Sequence, residues 1–102
     1  MTIKLVVLYT QPADGDAFDE HYLGVHAPLV HKVPGLLRFE GARIVAAPDG
    51  GEQTFVRIAE LYFDDQAALE AALGSDEGRA TAADFEQIAP PGSRMFVAAV
   101  DG

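Results

Sequence analysis

Residues Asp16 to Leu37 read DAFDEHYLGVHAPLVHKVPGLL, and this stretch holds all three histidines, one of the three tyrosines and two of the six prolines. The spacing predicts a helix that runs into a Pro-Gly turn and then a strand. Asp16 suits the N-cap, and Asp19 and Glu20 fall in the first turn, where carboxylates meet the positive end of the helix dipole. Phe18, Tyr22, Val25 and Leu29 recur at i, i+4, i+7 and i+11, so one apolar face can lie on a sheet. His26 follows Tyr22 by four and Phe18 by eight, at one margin of that face; His21 takes the opposite margin. Pro28 disfavours helical dihedrals at Ala27, so the regular helix is expected to end or kink there. Pro34-Gly35 turns the chain.

Working outward, both flanks read as strands. Ile3 to Thr10 puts Ile3, Leu5, Val7 and Tyr9 on one side and Lys4, Val6, Leu8 and Thr10 on the other. Leu36 to Ala47 reads as a second strand, closed by the turn cluster AAPDGGEQ from Ala46 to Gln53. Thr54 to Phe63 follows: Phe55, Arg57, Ala59, Leu61 and Phe63 share one face, and Val56, Ile58, Glu60 and Tyr62 the other. Asp64 or Asp65 caps a helix over Gln66 to Leu73. Gly74-Ser75-Asp76 breaks it and recaps a stretch from about Glu77 to Ile88, with Ala80, Ala83 or Asp84, and Ile88 near its inner side. Pro90-Pro91-Gly92 ends it, and Arg94 to Val100 is the last strand.

The order is βαββαβ, the split-βαβ or ferredoxin-like arrangement: an α+β fold with a four-stranded antiparallel sheet and both helices on one face. A sheet covered on one side should alternate apolar with polar residues. Here the first and third strands are largely apolar on both sides. A chain of 102 residues forms one domain, residues 1–102, and has nothing left to cover the second face. That predicts a homodimer.

Bulk composition excludes several classes. Apolar residues make up 49% of the chain, so it is not disordered, yet no apolar run approaches a membrane span. The start, MTIKLVVLY, is expected to be a strand rather than a leader. With no cysteine, disulfides, thiolate metal sites and cysteine nucleophiles drop out, and a cytoplasmic setting is expected. A formal charge of −9 speaks against nucleic acid or an anionic membrane as partner. The acidic residues are spread along the chain and read as a solubilising surface. No phosphate-binding loop, nucleophile elbow, haem-attachment motif or flavin motif is present, so no cofactor is expected.

Three pieces carry a family resemblance. The opening IKLVVLY, the helix segment HYLGVHAPLVHKVPGL (His21–Leu36) and the strand–helix junction AELYFDDQAALEAAL (Ala59–Leu73) resemble the EthD family, the ethyl tert-butyl ether degradation proteins. The resemblance spans nearly the whole chain. It implies a dimeric α/β barrel, two ferredoxin-like sheets packed face to face, in agreement with the two-sided apolar strands. The family takes its name from an ether-degrading system. Other relatives look like decarboxylases or dehydratases of aromatic polyketides, and broader fold relatives include cofactor-free monooxygenases and isomerases. His26, in the His-Ala-Pro-Leu match, is the residue the resemblance marks first, then Tyr22 and His21.

The chemistry is read from the same segment. His26 beside Tyr22, in a cleft between helix and sheet, suits proton transfer on a phenol or a β-keto acid. The competing reading has the His26 ring bonded to a backbone carbonyl at the helix end. His21, Tyr62, Phe39 and Arg57 are the candidate substrate-binding residues. Arg57 suits an ion pair, and Arg57 or Arg38 a substrate carboxylate; Arg43 on the second strand can pair with Glu60 if the hairpin register allows. Tyr9, Tyr62, Phe39 and Phe96 read as core rather than as an aromatic ligand box. A metal is not expected, even with Glu60 or Asp84 contributing from elsewhere: His21, His26 and His31 are five residues apart, about 140° on a helical wheel, so neighbours do not share a face. Three functions remain open at this level. They are a cofactor-free acid–base enzyme on a small hydrophobic aromatic or keto-acid metabolite, a non-catalytic binding or accessory protein, and a purely structural dimer.

Overall fold

The computed structural model describes residues 1–102. Its elements in order are β1 (Ile3–Thr10), α1 (Gly15–His21), a π-helical turn (Tyr22–His26), α2 (Ala27–His31), β2 (Arg38–Arg43), β3 (Phe55–Phe63), α3 (Gln66–Gly74), α4 (Asp76–Ile88) and β4 (Arg94–Ala99). The strands form one antiparallel sheet in the order β2-β3-β1-β4. This is the ferredoxin-like arrangement expected from the element order. No helix is long and apolar enough to cross a membrane.

Alternation along the strands sorts their side chains. Leu5, Val7 and Tyr9 of β1 and Ala59, Leu61 and Phe63 of β3 are buried under the helices. They pack with Phe18, Tyr22, Val30 and Val33 from the first helical segment and its exit, and with Leu69 and Ala72 of α3. The other face carries Val6, Leu8 and Ile58, with Phe96 opposite Val6. No element of the chain lies over it, and Phe96 is 48% exposed, outside the core in which its aromatic character placed it. Tyr62 is on this face as well, beneath Lys4 and Arg38 at 5.7 and 5.4 Å.

Helix ends differ from the sequence reading by one or two residues, each for a local reason. Asp14, not Asp16, is the first cap. Its extended backbone puts a carboxylate oxygen 3.0 Å from the Ala17 N–H, leaving Asp16 in the first turn. Asp65 caps α3 through Ala68 N–H at 2.8 Å, and Ser75 caps α4 through Gly78 N–H at 3.0 Å. β2 is shorter than Leu36 to Ala47. With the Gln53 side-chain amide turned so that its oxygen faces them, the Ala46 and Ala47 N–H groups are met at 3.2 and 2.8 Å, and they leave the ladder for the loop.

The larger correction lies in the first helical segment. The buried residues are Phe18, Tyr22, His26 and Val30. Val25 is 45% exposed and Leu29 only half-buried, although both belong to the expected stripe. In a straight α-helix four residues overshoot one turn by about 40°, and the steps from Phe18 to Val30 would wind off the face. The π-helical turn is wider, with Ala27 N–H bonding back five residues to Tyr22 O. It absorbs the overshoot and keeps every fourth residue inward. Ala27 keeps helical dihedrals, and Pro28 opens α2 rather than ending the helix.

On α4, Gly78 and Asp84 face inward, while Ala80, expected inside, is exposed. The α3–α4 crossing leaves no space at Gly78, where a Cβ would lie 2.0 Å from Ala72 O. Gly78→Ala is therefore expected to cost at least about 2 kcal/mol through forced separation of the two helices. Urea unfolding would show it, and an unchanged midpoint would mean that the crossing is looser than described.

Candidate functional site

His26 is the polar residue of the inward stripe and is 5% exposed. Its Nδ1 lies 2.8 Å from Asp84 Oδ2 on α4. His21, one helical turn earlier and half-exposed, places Nε2 2.7 Å from Asp84 Oδ1. A carboxylate cannot donate, so each of these ring nitrogens carries the proton and donates it to Asp84. In neutral His26 this leaves Nε2 as the basic nitrogen, and it makes no hydrogen bond within the chain. The competing reading of His26, with its ring on a backbone carbonyl, is thus replaced by a side-chain carboxylate from another helix.

Burial alone would push the Asp84 carboxyl up, but the hydrogen bonds from His21 and His26 outweigh it and hold the group below its ordinary value. Asp84 is the site residue that sequence reasoning named only as an outside contributor to a metal, not as the partner of the two histidines. The available signal was an acidic residue on the inner side of an otherwise apolar, alanine-rich helix, where a carboxylate must find a partner.

The His26 ring forms part of the wall of an apolar cavity of about 80 Å³ between sheet and helices. Val7, Tyr9, Val30, Phe39 and Phe85 are among the other walls. Phe39 reaches it from β2 and meets His31 edge-on at 5.2 Å. Tyr22 packs against His26 at 5.6 Å and against Tyr9 at 5.6 Å. Its hydroxyl is buried without a partner, directly under Gly41, where an added Cβ would lie 3.2 Å from that oxygen. Burial raises the Tyr22 hydroxyl above its ordinary value, with Arg57 partly opposing. Tyr22 thus stays protonated and is a donor, not a base.

Of the six candidates, His26 and Phe39 share the cavity, and Tyr22 stands beside it. His21 reaches the site only through Asp84. Arg57 sits on the far side of Tyr22, its guanidinium 4.5 Å over that ring and 3.0 Å from Asp19. Tyr62 is on the opposite face of the sheet and contributes nothing to this cavity. The expected Arg43–Glu60 pair does not form. Register puts Arg43 beside Arg57 on the helix side and Glu60 on the open side. Arg43 takes Asp19 at 3.1 Å, and Glu60 takes Lys4 at 2.7 Å.

The pairing of Asp84 sets an acid limit. Its folded carboxyl titrates below the ordinary value of 3.8. The stabilisation it lends is therefore fully present above that pH and is lost as pH falls through the folded value. Asp84→Asn is expected to cost about 2 kcal/mol at pH 6, with the gap to the parent narrowing below pH 3.8. Equal urea midpoints at pH 6 would show that the bridging charge carries no stability.

Comparison with known proteins follows the same lines. The EthD domain profile matches residues 10–91. An uncharacterized 11.0 kDa protein of the thcB-thcC intergenic region of Rhodococcus erythropolis is 37% identical over 93 residues, 91% of this chain and 89% of that protein. The crystal structure of an ethyl tert-butyl ether degradation (EthD) family protein from Bacillus halodurans C-125 superposes with a TM-score of 0.93 at 40% identity, over 99% of this chain and 100% of that one. The fold extends to a hydroxynitrile lyase from Passiflora edulis, with a TM-score of 0.80 at 10% identity over 98% and 94% of the two chains. It also extends to SnoaB, a cofactor-independent oxygenase from Streptomyces nogalater, with a TM-score of 0.71 at 15% identity over 99% and 94%. By profile, sequence and structure together, this chain belongs to the EthD family.

Proposed function

We propose that the protein is a homodimeric acid–base enzyme in which His26 moves a proton on a small hydrophobic aromatic or keto-acid metabolite. The observation that carries this reading is the His26 ring on the wall of the apolar cavity with its Nδ1 held by Asp84 at 2.8 Å. A carboxylate behind an imidazole fixes its tautomer and stabilises the imidazolium that forms when Nε2 takes a proton. The dry surroundings strengthen that interaction. Tyr22, protonated and packed against the His26 ring, is the hydrogen-bonding assistant, which requires its hydroxyl, buried beside the cavity under Gly41, to turn toward the substrate, and Phe39 packs against the substrate body. The fold shared with a hydroxynitrile lyase and a cofactor-independent oxygenase supports a scaffold on which such chemistry runs.

A second reading, a non-catalytic binding or accessory protein, is favoured by the cavity wall itself, since 13 of its 16 residues are apolar and holding a ligand needs no more. Enolisable aryl ketones, phenols and β-keto acids offered in D₂O separate the two by proton NMR. Deuterium incorporation or turnover is expected, and His26→Ala should reduce it at least about 100-fold while the dimer persists. An intact dimer with unchanged turnover removes His26 from the mechanism. Saturable binding with no exchange on any probe leaves the binding reading.

The homodimer is supported by the uncovered apolar face of Val6, Leu8, Ile58 and Phe96 and by relatives of this fold described as dimeric ferredoxin-like proteins. Face-to-face packing of two sheets should bury roughly 1,500 Å² or more. Sedimentation is expected to give twice the 10.9 kDa chain mass, and Ile58→Asp to shift it to the monomer. A stable monomer of the unaltered chain at micromolar concentration would defeat the dimer.

A further inference from the structure

A second, polar cleft of about 330 Å³ opens at the other side of the Tyr22 ring and shares no wall residue with the His26 cavity. Arg57 forms part of its wall with a side chain only 8% exposed. Asp19 accepts from one Nη of Arg57 through Oδ1 at 3.0 Å and from one Nη of Arg43 through Oδ2 at 3.1 Å. One carboxylate thus serves two guanidiniums, and these three are the only charged residues on the cleft wall. The wall therefore keeps one unmatched positive charge, in a chain whose formal charge is −9.

Each guanidinium has five N–H donors in a planar fork, and Asp19 occupies one on each. The Tyr22 ring lies against the face of the Arg57 guanidinium at 4.5 Å. A cation held over a ring face in this way uses none of its N–H donors for that contact. Phe18 and Ile44 give the cleft an apolar side. We infer that this cleft is a binding site for a small monocarboxylate with an apolar body, its carboxylate on Arg57 and Arg43 and its body on Phe18 and Ile44. A bare phosphate would meet the charge but leave the apolar wall uncovered, so a carboxylate is the better match. The site does not rest on His26 acting as an acid or base.

The test is a titration of the uniformly ¹⁵N-labelled protein with benzoate, with benzyl alcohol and inorganic phosphate as separate arms. Benzoate is expected to give saturable shifts in the amides of Phe18, Asp19 and Ile44 and in the Arg57 Nε–H. Arg43→Gln removes a mostly exposed side chain and should weaken benzoate about fivefold or more. Arg38→Gln, the same charge change on the opposite face of the sheet, should leave it unchanged, as should His26→Gln. Benzyl alcohol should not bind at the cleft. The assignment is overturned if benzoate gives no saturable shift up to tens of millimolar, or shifts only residues around His26. It is overturned equally if Arg43→Gln and Arg38→Gln weaken it alike. Tighter binding of phosphate than of benzoate would make the cleft a phosphate site and end the carboxylate assignment.

Discussion

A carboxylate removed from water is tolerable only when its charge and its lone pairs are both met. Asp84 meets them on a single helical segment, with one oxygen on His21 and the other on His26. That constraint reaches further than the three residues. It joins α4 to the helix that crosses it and decides which nitrogen of neutral His26 carries the proton. It also demands that residues 21 and 26 approach one carboxylate together. Five residues apart on a regular helix they would point about 140° away from each other. The π-helical turn between them is the local geometry that lets both reach Asp84.

The fold was largely legible because its evidence is periodic and local. β1 and β3 alternate cleanly, turn residues stand where the chain reverses, and the order of elements admits few topologies. The apolar character of both sheet faces was likewise readable from Val6, Leu8 and Ile58. Boundaries were less so. Asp14 and Asp16 are equally good caps on paper, and only backbone dihedrals choose between them. The end of β2 was set by the Gln53 amide, a contact between residues that no pattern links.

The site was legible in its central residue and not in its partners. His26 and Tyr22 announce themselves by type and by spacing from Phe18. The stripe read for a straight helix put Val25 and Leu29 inside, because periodicity analysis assumes a constant turn and a widened turn leaves no compositional mark. Asp84, 58 positions away from His26, is brought to it by tertiary packing alone. The same holds for Asp19, which collects two arginines from different strands, and for Glu60, whose partner depends on which face of β3 it occupies. Tyr62 shows the converse: an aromatic residue in a good strand, separated from His26 by the thickness of the sheet.

The widened turn has an evolutionary consequence. Residues before and after it are phased on different helical wheels, and the turn is the joint between them. Forcing Tyr22–His26 into regular helix at the same length would restore an overshoot of about 40° at every fourth residue, roughly 120° over the three steps from Phe18 to Val30. Val30 would then leave the core, and the two imidazoles could no longer share a carboxylate. Substitutions along the exposed positions Leu23, Gly24 and Val25 need not have that effect. A related chain with one residue fewer between its two histidines would hold them four apart on one face of a regular helix, so the shared carboxylate is compatible with either length provided that the turn narrows with it.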